Sequence, residues 1–310
     1  MATSRERAWT AVPLLTSDGP LGALRFSFGH ERDLAPEEAV FLEALAGQCA
    51  LAVERSRLYE REHRTASALQ RGLLPQRLPQ VPGLDLAARY VPGIDEVQVG
   101  GDWYDVFPLP EGRVALVVGD VMGKGVTAAA GMGRMRSALR ALAFTDPSPA
   151  SVLEGLDRLV VATEAPEHIV TVMMAVADPR SGALTVSSAG HPPLLCRPAD
   201  GGASYIDTGR VATPLGVPQA RCETVVRLGP GDTVLAFSDG LVETRRRSLG
   251  EGLEELVGVA DAAPSGWLGA MLDEVLAGMA ARERPSDDVT VLAVRWTPAD
   301  LAARASGVAT

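Results

Sequence analysis

Three apolar runs of strand length in this chain meet an aspartate at one end, and that pattern limits the fold more than any other feature. VALVVGD closes a run on Asp120, VLAFSDG does the same with Asp239, and SDDVTVLAV sets Asp287 and Asp288 just before one. Runs this continuous in Val, Leu and Ala belong inside layers rather than on a surface. Strand ends converge in a layered fold, so the carboxylates placed there can meet in space. A fourth acid, Asp102, stands in QVGGDWYDV behind two glycines, with Asp105 three residues on. In extended chain Asp102 and Tyr104 face one way and Trp103 and Asp105 the other, so at least one acid of the pair is directed inward. An unpaired charge there is costly.

The remaining pattern supports a mixed α+β architecture. Two short strands, around AVPLL and LGALRFSF, flank the turn signal SDGP. Two strands do not stabilise themselves alone. A helical pattern then runs from Pro36 to Leu74, opened by Pro36, Glu37 and Glu38 and closed by the three prolines of LLPQRLPQVPG. Leu51 and Leu58 stand seven residues apart, but no heptad is sustained beyond them. From residue 84 strand-like runs recur at LDLAARYV, RVALVVGD, IVTVMMAVAD, ALTVSSAG, DTVLAFSDG and VTVLAVRW, with DPRSG reading as a hairpin turn. Helical patterns occupy about 125–144, 149–163 and 266–282. Helices clustered between hairpin-linked strands favour α+β layers over strict βαβ alternation.

Composition excludes some function classes. With a net charge of −10 a nucleic acid is not an expected partner. Cys49, Cys196 and Cys222 are far apart and show neither disulfide nor zinc spacing. The opening MATSRERAWT lacks a secretory core, and the longest apolar stretches are too short to span a bilayer. A soluble, cytoplasmic protein is expected, with no membrane partner.

Converging carboxylates repel unless positive charge sits between them. No compensating set of arginines or lysines accompanies these motifs, and Lys124 is the candidate cation beside Asp120. Hard divalent cations such as Mg²⁺ or Mn²⁺ take oxygen ligands, and a pair of them about 3.5–4 Å apart activates water for attack on phosphorus. A single Asp–Gly after a strand reads equally as a turn; several at strand ends point to a metal centre. GKGVTA at 123–128 also matches a dinucleotide fingerprint, but the acid about 20 residues on, Asp146, follows no strand. Walker spacing is absent, because Gly119 and Gly123 enclose three residues, and the four histidines form no HExxH pair. His191, in AGHPP, is open to a role as ligand or phosphate contact, but a lone histidine beside a Pro-Pro turn reads more often as structural.

Taken together and in order, GGDWYD, GDVMGKG, AGHPP, FSDGLVE and SDDVTV resemble the SpoIIE-type branch of the metal-dependent serine/threonine phosphatases, the type 2C or PPM family. The resemblance begins near LQRGLLPQRLP and covers about residues 69–296. It implies a central β-sandwich flanked by helices, two Mn²⁺ or Mg²⁺ ions, and hydrolysis of a phosphoserine or phosphothreonine by a metal-bridging water. It further implies Asp120 as the acid shared by both metals, the Val121 carbonyl as the next ligand, and Asp239 and Asp287 as further acids, with Asp288 the alternative to Asp287. Asp102 would serve the other metal. Lys124 stands where many relatives carry histidine and would contact phosphate. The implied substrate is a phosphorylated anti-anti-sigma protein of the STAS type. LGALRFSFGHERDLAPEEAVFLEALAGQCALAVERSRLYE resembles the end of a GAF sensor domain without its front half. The expected divisions are a partial GAF-like segment at 1–60, a linker helix at 61–78, a phosphatase domain at 79–297 and a tail at 298–310, with a homodimer through the N-terminal helix.

Overall fold

The computed structural model describes residues 6–93, 100–163, 169–217, 219–281, 283, 285 and 287–298. The expected tail lies outside these, except for Pro298. The chain divides into two compact units, Met1–Arg64 and Thr65–Thr310. In the first, strands β1 (Ala8–Thr16) and β2 (Gly19–Phe28) form an antiparallel hairpin around SDGP, as its turn chemistry requires. Helix α1 (Pro36–Leu73) follows and stops one residue before Leu74, where Pro75 forbids continuation. Its Ala46 and Ala50 are buried, whereas Val40, Phe41, Leu51 and Leu58 are exposed.

The second unit contains two five-stranded sheets. In chain order its elements are β3 (Leu84–Val91), β4 (Trp103–Pro108), β5 (Val114–Val121), α2 (Val126–Thr145), α3 (Pro149–Thr163), β6 (Val170–Asp178), β7 (Ala183–Ala189), β8 (Leu195–Arg197), β9 (Ser204–Tyr205), β10 (Thr224–Arg227), β11 (Thr233–Phe237), α4 (Leu249–Ala262), α5 (Leu268–Ala280) and β12 (Val289–Trp296). One sheet has the order β10-β7-β6-β5-β4 and the other β3-β12-β11-β8-β9. Every pairing within them is antiparallel. The DPRSG hairpin joins β6 to β7, with Asp178 opposite Ala183.

Three apolar cores explain why antiparallel strands here read as unbroken hydrophobic runs. Along β5, Val114, Leu116 and Val118 face the core between the sheets, while Ala115 and Val117 face a second core under α2 and α3. Along β11, Val234 and Ala236 enter the inter-sheet core, while Leu235 and Phe237 meet α4 and α5. Both faces of a central strand are therefore dry, and polar alternation is lost. The result is a four-layer arrangement, helices outside and two sheets within, in agreement with the expected α+β sandwich. A dinucleotide site is ruled out by the same topology, because β5 pairs antiparallel with both neighbours and forms no βαβ unit.

Candidate metal centre

The acids gather where the central strands of both sheets end. Trp103 lies opposite Gly119, so the register brings Asp102 beside Asp120 at the close of β5. The Val121 amide donates to the Gly101 carbonyl at 3.2 Å. Gly101 is required there, since a Cβ would overlap the Val121 carbonyl oxygen. In the other sheet β11 hands over to Ser238 and then to a 3-10 turn, Asp239–Leu241. The Ser238 amide donates to the Thr290 carbonyl at 2.9 Å, and the Thr290 amide donates back to Ser238 Oγ at 2.9 Å. That exchange ties Asp239 to the start of β12, where Asp287 and Asp288 stand. Gly240 permits the approach, because a Cβ would overlap the Asp288 carbonyl oxygen.

Charge is concentrated without compensation. Asp102 is buried and its Oδ2 has no hydrogen-bond partner. Burial pushes its carboxyl well above the usual range, and Asp120, Asp239 and Asp288 add repulsion that Ser238 only partly offsets. Asp120 is pushed up to about 7, first by burial and then by Asp239 and Asp287. Its carboxyl lies within hydrogen-bond reach of Asp102, so without a cation the pair is relieved only by holding a proton. Asp239 is also raised, by desolvation and then by Asp287.

The two acids of SDDV have different tasks. Asp288 is buried, and its carboxylate accepts from the Gly93 amide at 3.3 Å, the Gly100 amide at 3.2 Å, Gln70 Nε2 at 3.2 Å and the Tyr90 hydroxyl. Asp287 faces outward with half its side chain exposed, and its Oδ1 lies 3.3 Å from Lys124 Nζ. Asp287 is thus the exposed acid of the pair, and Lys124 sits beside it. Asp105 separates from Asp102 in the same way. It is buried under α2, with Arg136 Nε at 2.9 Å and Arg140 Nε at 2.6 Å from its Oδ2. Both acids of GGDWYD point inward, one with cationic partners and one without.

Sequence reasoning did not find Gln70, Tyr90 or Ser238. Gln70 carried one signal: it shares a helix face with Leu73 and Leu74, three and four residues on. His191 is buried, its Nδ1 lies 2.9 Å from Thr171 Oγ1, and desolvation brings its pKa down to about 3, which keeps it neutral.

The residues present fit hard divalent cations. Every donor is an oxygen, and the orphaned Asp102 Oδ2 faces neighbouring carboxylates that repel it. Among the described residues, no three His, Cys, Asp or Glu side chains close round one point as a finished cage. Positive charge between the acids would draw them together.

The family described as Stage II sporulation protein E (SpoIIE) matches residues 110–297, more than half of the chain. The chain belongs to the SpoIIE family. Asp120, Lys124, Asp239 and Asp287 lie within the matched span; Asp102 lies before it and joins them through the pairing of β4 with β5. Phosphoserine phosphatase RsbU of Bacillus subtilis (strain 168) is 30% identical over 182 residues, which cover 58% of this chain and 53% of that protein. The solved RsbU and RsbW domains of a Mycobacterium tuberculosis protein share 34% identity at a TM-score of 0.65, covering 71% of this chain and 62% of that one. The PP2C domain of SiaA from Pseudomonas aeruginosa matches at a TM-score of 0.65 with 19% identity, over 79% of this chain and 99% of that one, which shows the shared PP2C fold. This SpoIIE-family chain spans about half the length of RsbU, and 32% of the length of a second curated relative, Protein IcfG of Synechocystis.

Proposed function

We propose that this SpoIIE-family chain is a metal-dependent protein serine/threonine phosphatase. The observation that carries the reading is the buried Asp102 carboxylate, its Oδ2 without a hydrogen-bond partner, set against Asp120 and Asp239 at the ends of two facing sheets. Asp102, Asp120, the Val121 carbonyl, Asp239 and Asp287 would hold two Mn²⁺ or Mg²⁺ ions. Such ions, when bound, supply charge to a phosphoryl oxygen and lower the pKa of water. The chain's own part is to hold those acids in place, which the Ser238–Thr290 exchange and the Gly101 approach do without further motion. Lys124, partly exposed beside Asp287, supplies a movable cation for the phosphate. A cavity of about 270 Å³ opens next to it, lined by Met122, Thr127, Arg134 and Val170 among others, with room for a side chain flanking the phosphorylated residue.

RsbU is a phosphoserine phosphatase by name, and the likeness supports a phosphorylated STAS-type anti-anti-sigma protein as substrate here. Exposed Val40, Phe41, Leu51 and Leu58 on α1 support a homodimer through that helix. Among the described residues no helix is long and apolar enough to cross a membrane. The test is hydrolysis of p-nitrophenyl phosphate in Mn²⁺ and in EDTA. Wild type turns over only with metal, and Asp239→Asn loses at least about a hundredfold. Wild type with neither turnover nor Mn²⁺ binding by calorimetry refutes the proposal. Lys124→Met raises KM more than it lowers kcat; an unchanged KM removes Lys124 from the substrate site.

A further inference from the structure

The last turn of α1 ends inside the second unit. Gln70 is buried there, and Leu73 and Leu74 behind it pack on the core under α2. Its Nε2 donates to the Gly100 carbonyl at 3.3 Å and to Asp288 Oδ2 at 3.2 Å, while its Oε1 lies 3.0 Å from the Tyr90 hydroxyl, whose single proton it shares with Asp288. Asp288 also receives the Gly100 amide. Gln70 therefore grips Gly100 twice, at its carbonyl directly and at its amide through Asp288. Gly100 leads into Gly101, whose carbonyl takes the Val121 amide, and then into Asp102. Asp287 is the chain neighbour of Asp288.

We propose that Gln70 is a positioning residue: it fixes the Gly100–Asp102 segment against the end of β5 and so sets the spacing of Asp102 from Asp120. The links from Gln70 to Gly100 and Asp288, and from Gly100 to Asp288, are hydrogen bonds between buried groups, and Leu73 and Leu74 behind Gln70 carry no polar side-chain atom. The helix that precedes the catalytic layers is by this contact a part of the site. Its effect on metal rests on the phosphatase reading; its effect on Gly100 does not.

The experiment is amide hydrogen exchange on the full chain in EDTA, for wild type, Gln70→Leu and Gln70→Glu, joined to Mn²⁺ titration of p-nitrophenyl phosphate turnover. Gln70→Leu keeps the volume and removes the donors. Gln70→Glu keeps the length and sets a carboxylate against Asp288. In both, exchange at the Gly100 and Val121 amides quickens by about tenfold, the scale of one buried hydrogen bond, while amides of Val117 and Met174 in the β5–β6 ladder hold their rates. The Mn²⁺ concentration for half-maximal turnover rises by about tenfold, with KM for p-nitrophenyl phosphate within about twofold. Unchanged exchange at Gly100 and Val121 overturns the proposal, and so does quickening spread evenly over the ladder, which marks a merely stabilising residue. Local quickening with an unmoved Mn²⁺ requirement overturns the positioning role. Local quickening in a chain whose wild type shows no metal-dependent turnover supports the Gln70 contact and refutes the phosphatase reading instead.

Discussion

Asp105→Asn separates the two acids of GGDWYD by experiment. The Asp105 carboxylate is 1% exposed and accepts from Arg140 Nε at 2.6 Å and Nη2 at 2.7 Å, Arg136 Nη2 at 3.3 Å and the Val106 amide at 3.0 Å, with Arg136 Nε also 2.9 Å away. Removing one partner of a buried ion pair costs about 3–5 kcal/mol. The two arginine side chains keep 21% and 37% of their exposure and can rehydrate in part, which lowers the expected loss to about 2–3 kcal/mol. For a unit of this size that is a fall in Tm of about 5–10 °C. Arg140 also lies 4.7 Å from the Phe107 ring centroid, a contact that depends on the clamp. Urea unfolding followed by far-UV circular dichroism in EDTA reads the difference. Asp102→Asn behaves oppositely: it relieves a buried charge, leaves metal-free stability equal or higher, and abolishes metal-dependent turnover. A loss below about 1 kcal/mol for Asp105→Asn, or a larger loss for Asp102→Asn, refutes this division of labour.

Two further outcomes follow from the same geometry. In EDTA the chain loses stability as pH rises from about 4 to 7: the Asp120 carboxyl titrates near 3.8 when unfolded and about 7 when folded, so the folded state holds its proton across that window and releases it above. Scanning calorimetry should show a lower Tm at pH 8 than at pH 5 and a flatter slope in Asp120→Asn; an equal slope in the variant contradicts the assignment. Gly101→Ala forces β4 and β5 apart where they carry Asp102 and Asp120, and turnover falls at least about tenfold, whereas Gly47→Ala, with open space around its Cβ, leaves it unchanged; wild-type turnover in Gly101→Ala contradicts the close approach.

What was legible in the sequence was whatever has a local signature. A charge abutting an apolar run is visible, so Asp120, Asp239 and the Asp287–Asp288 pair stood out. Prolines at 75, 79 and 82 end α1 wherever tertiary contacts lie. Long-range pairing has no such mark. The arginines that neutralise Asp105 lie 31 and 35 residues away on α2, and no spacing rule connects them. Helix α4 was missed although Ser248 and Glu251 form its capping box, because Gly250, Gly252 and Gly258 dilute the helical signal. Gly252 is there for contact, since a Cβ would overlap the Val242 carbonyl. Strands β8, β9 and β10 are two to four residues long, too short for alternation to show. That Asp288 is buried and Asp287 exposed is a matter of packing, which the doubled acid does not reveal in sequence.

The position of β12 has a consequence for how such a chain comes to life. This strand, residues 289–296, lies between β3 and β11, so β3, made about 200 residues earlier, has no neighbour until the last strand emerges. At roughly 5–20 residues per second on the ribosome, that wait is about 10–40 seconds. Asp102 and Asp120 are translated long before Asp287, yet the acids cannot be assembled until β12 closes the second sheet. A nascent chain of this family therefore cannot bring its strand-end acids together until β12 has emerged, however early the first of them is made.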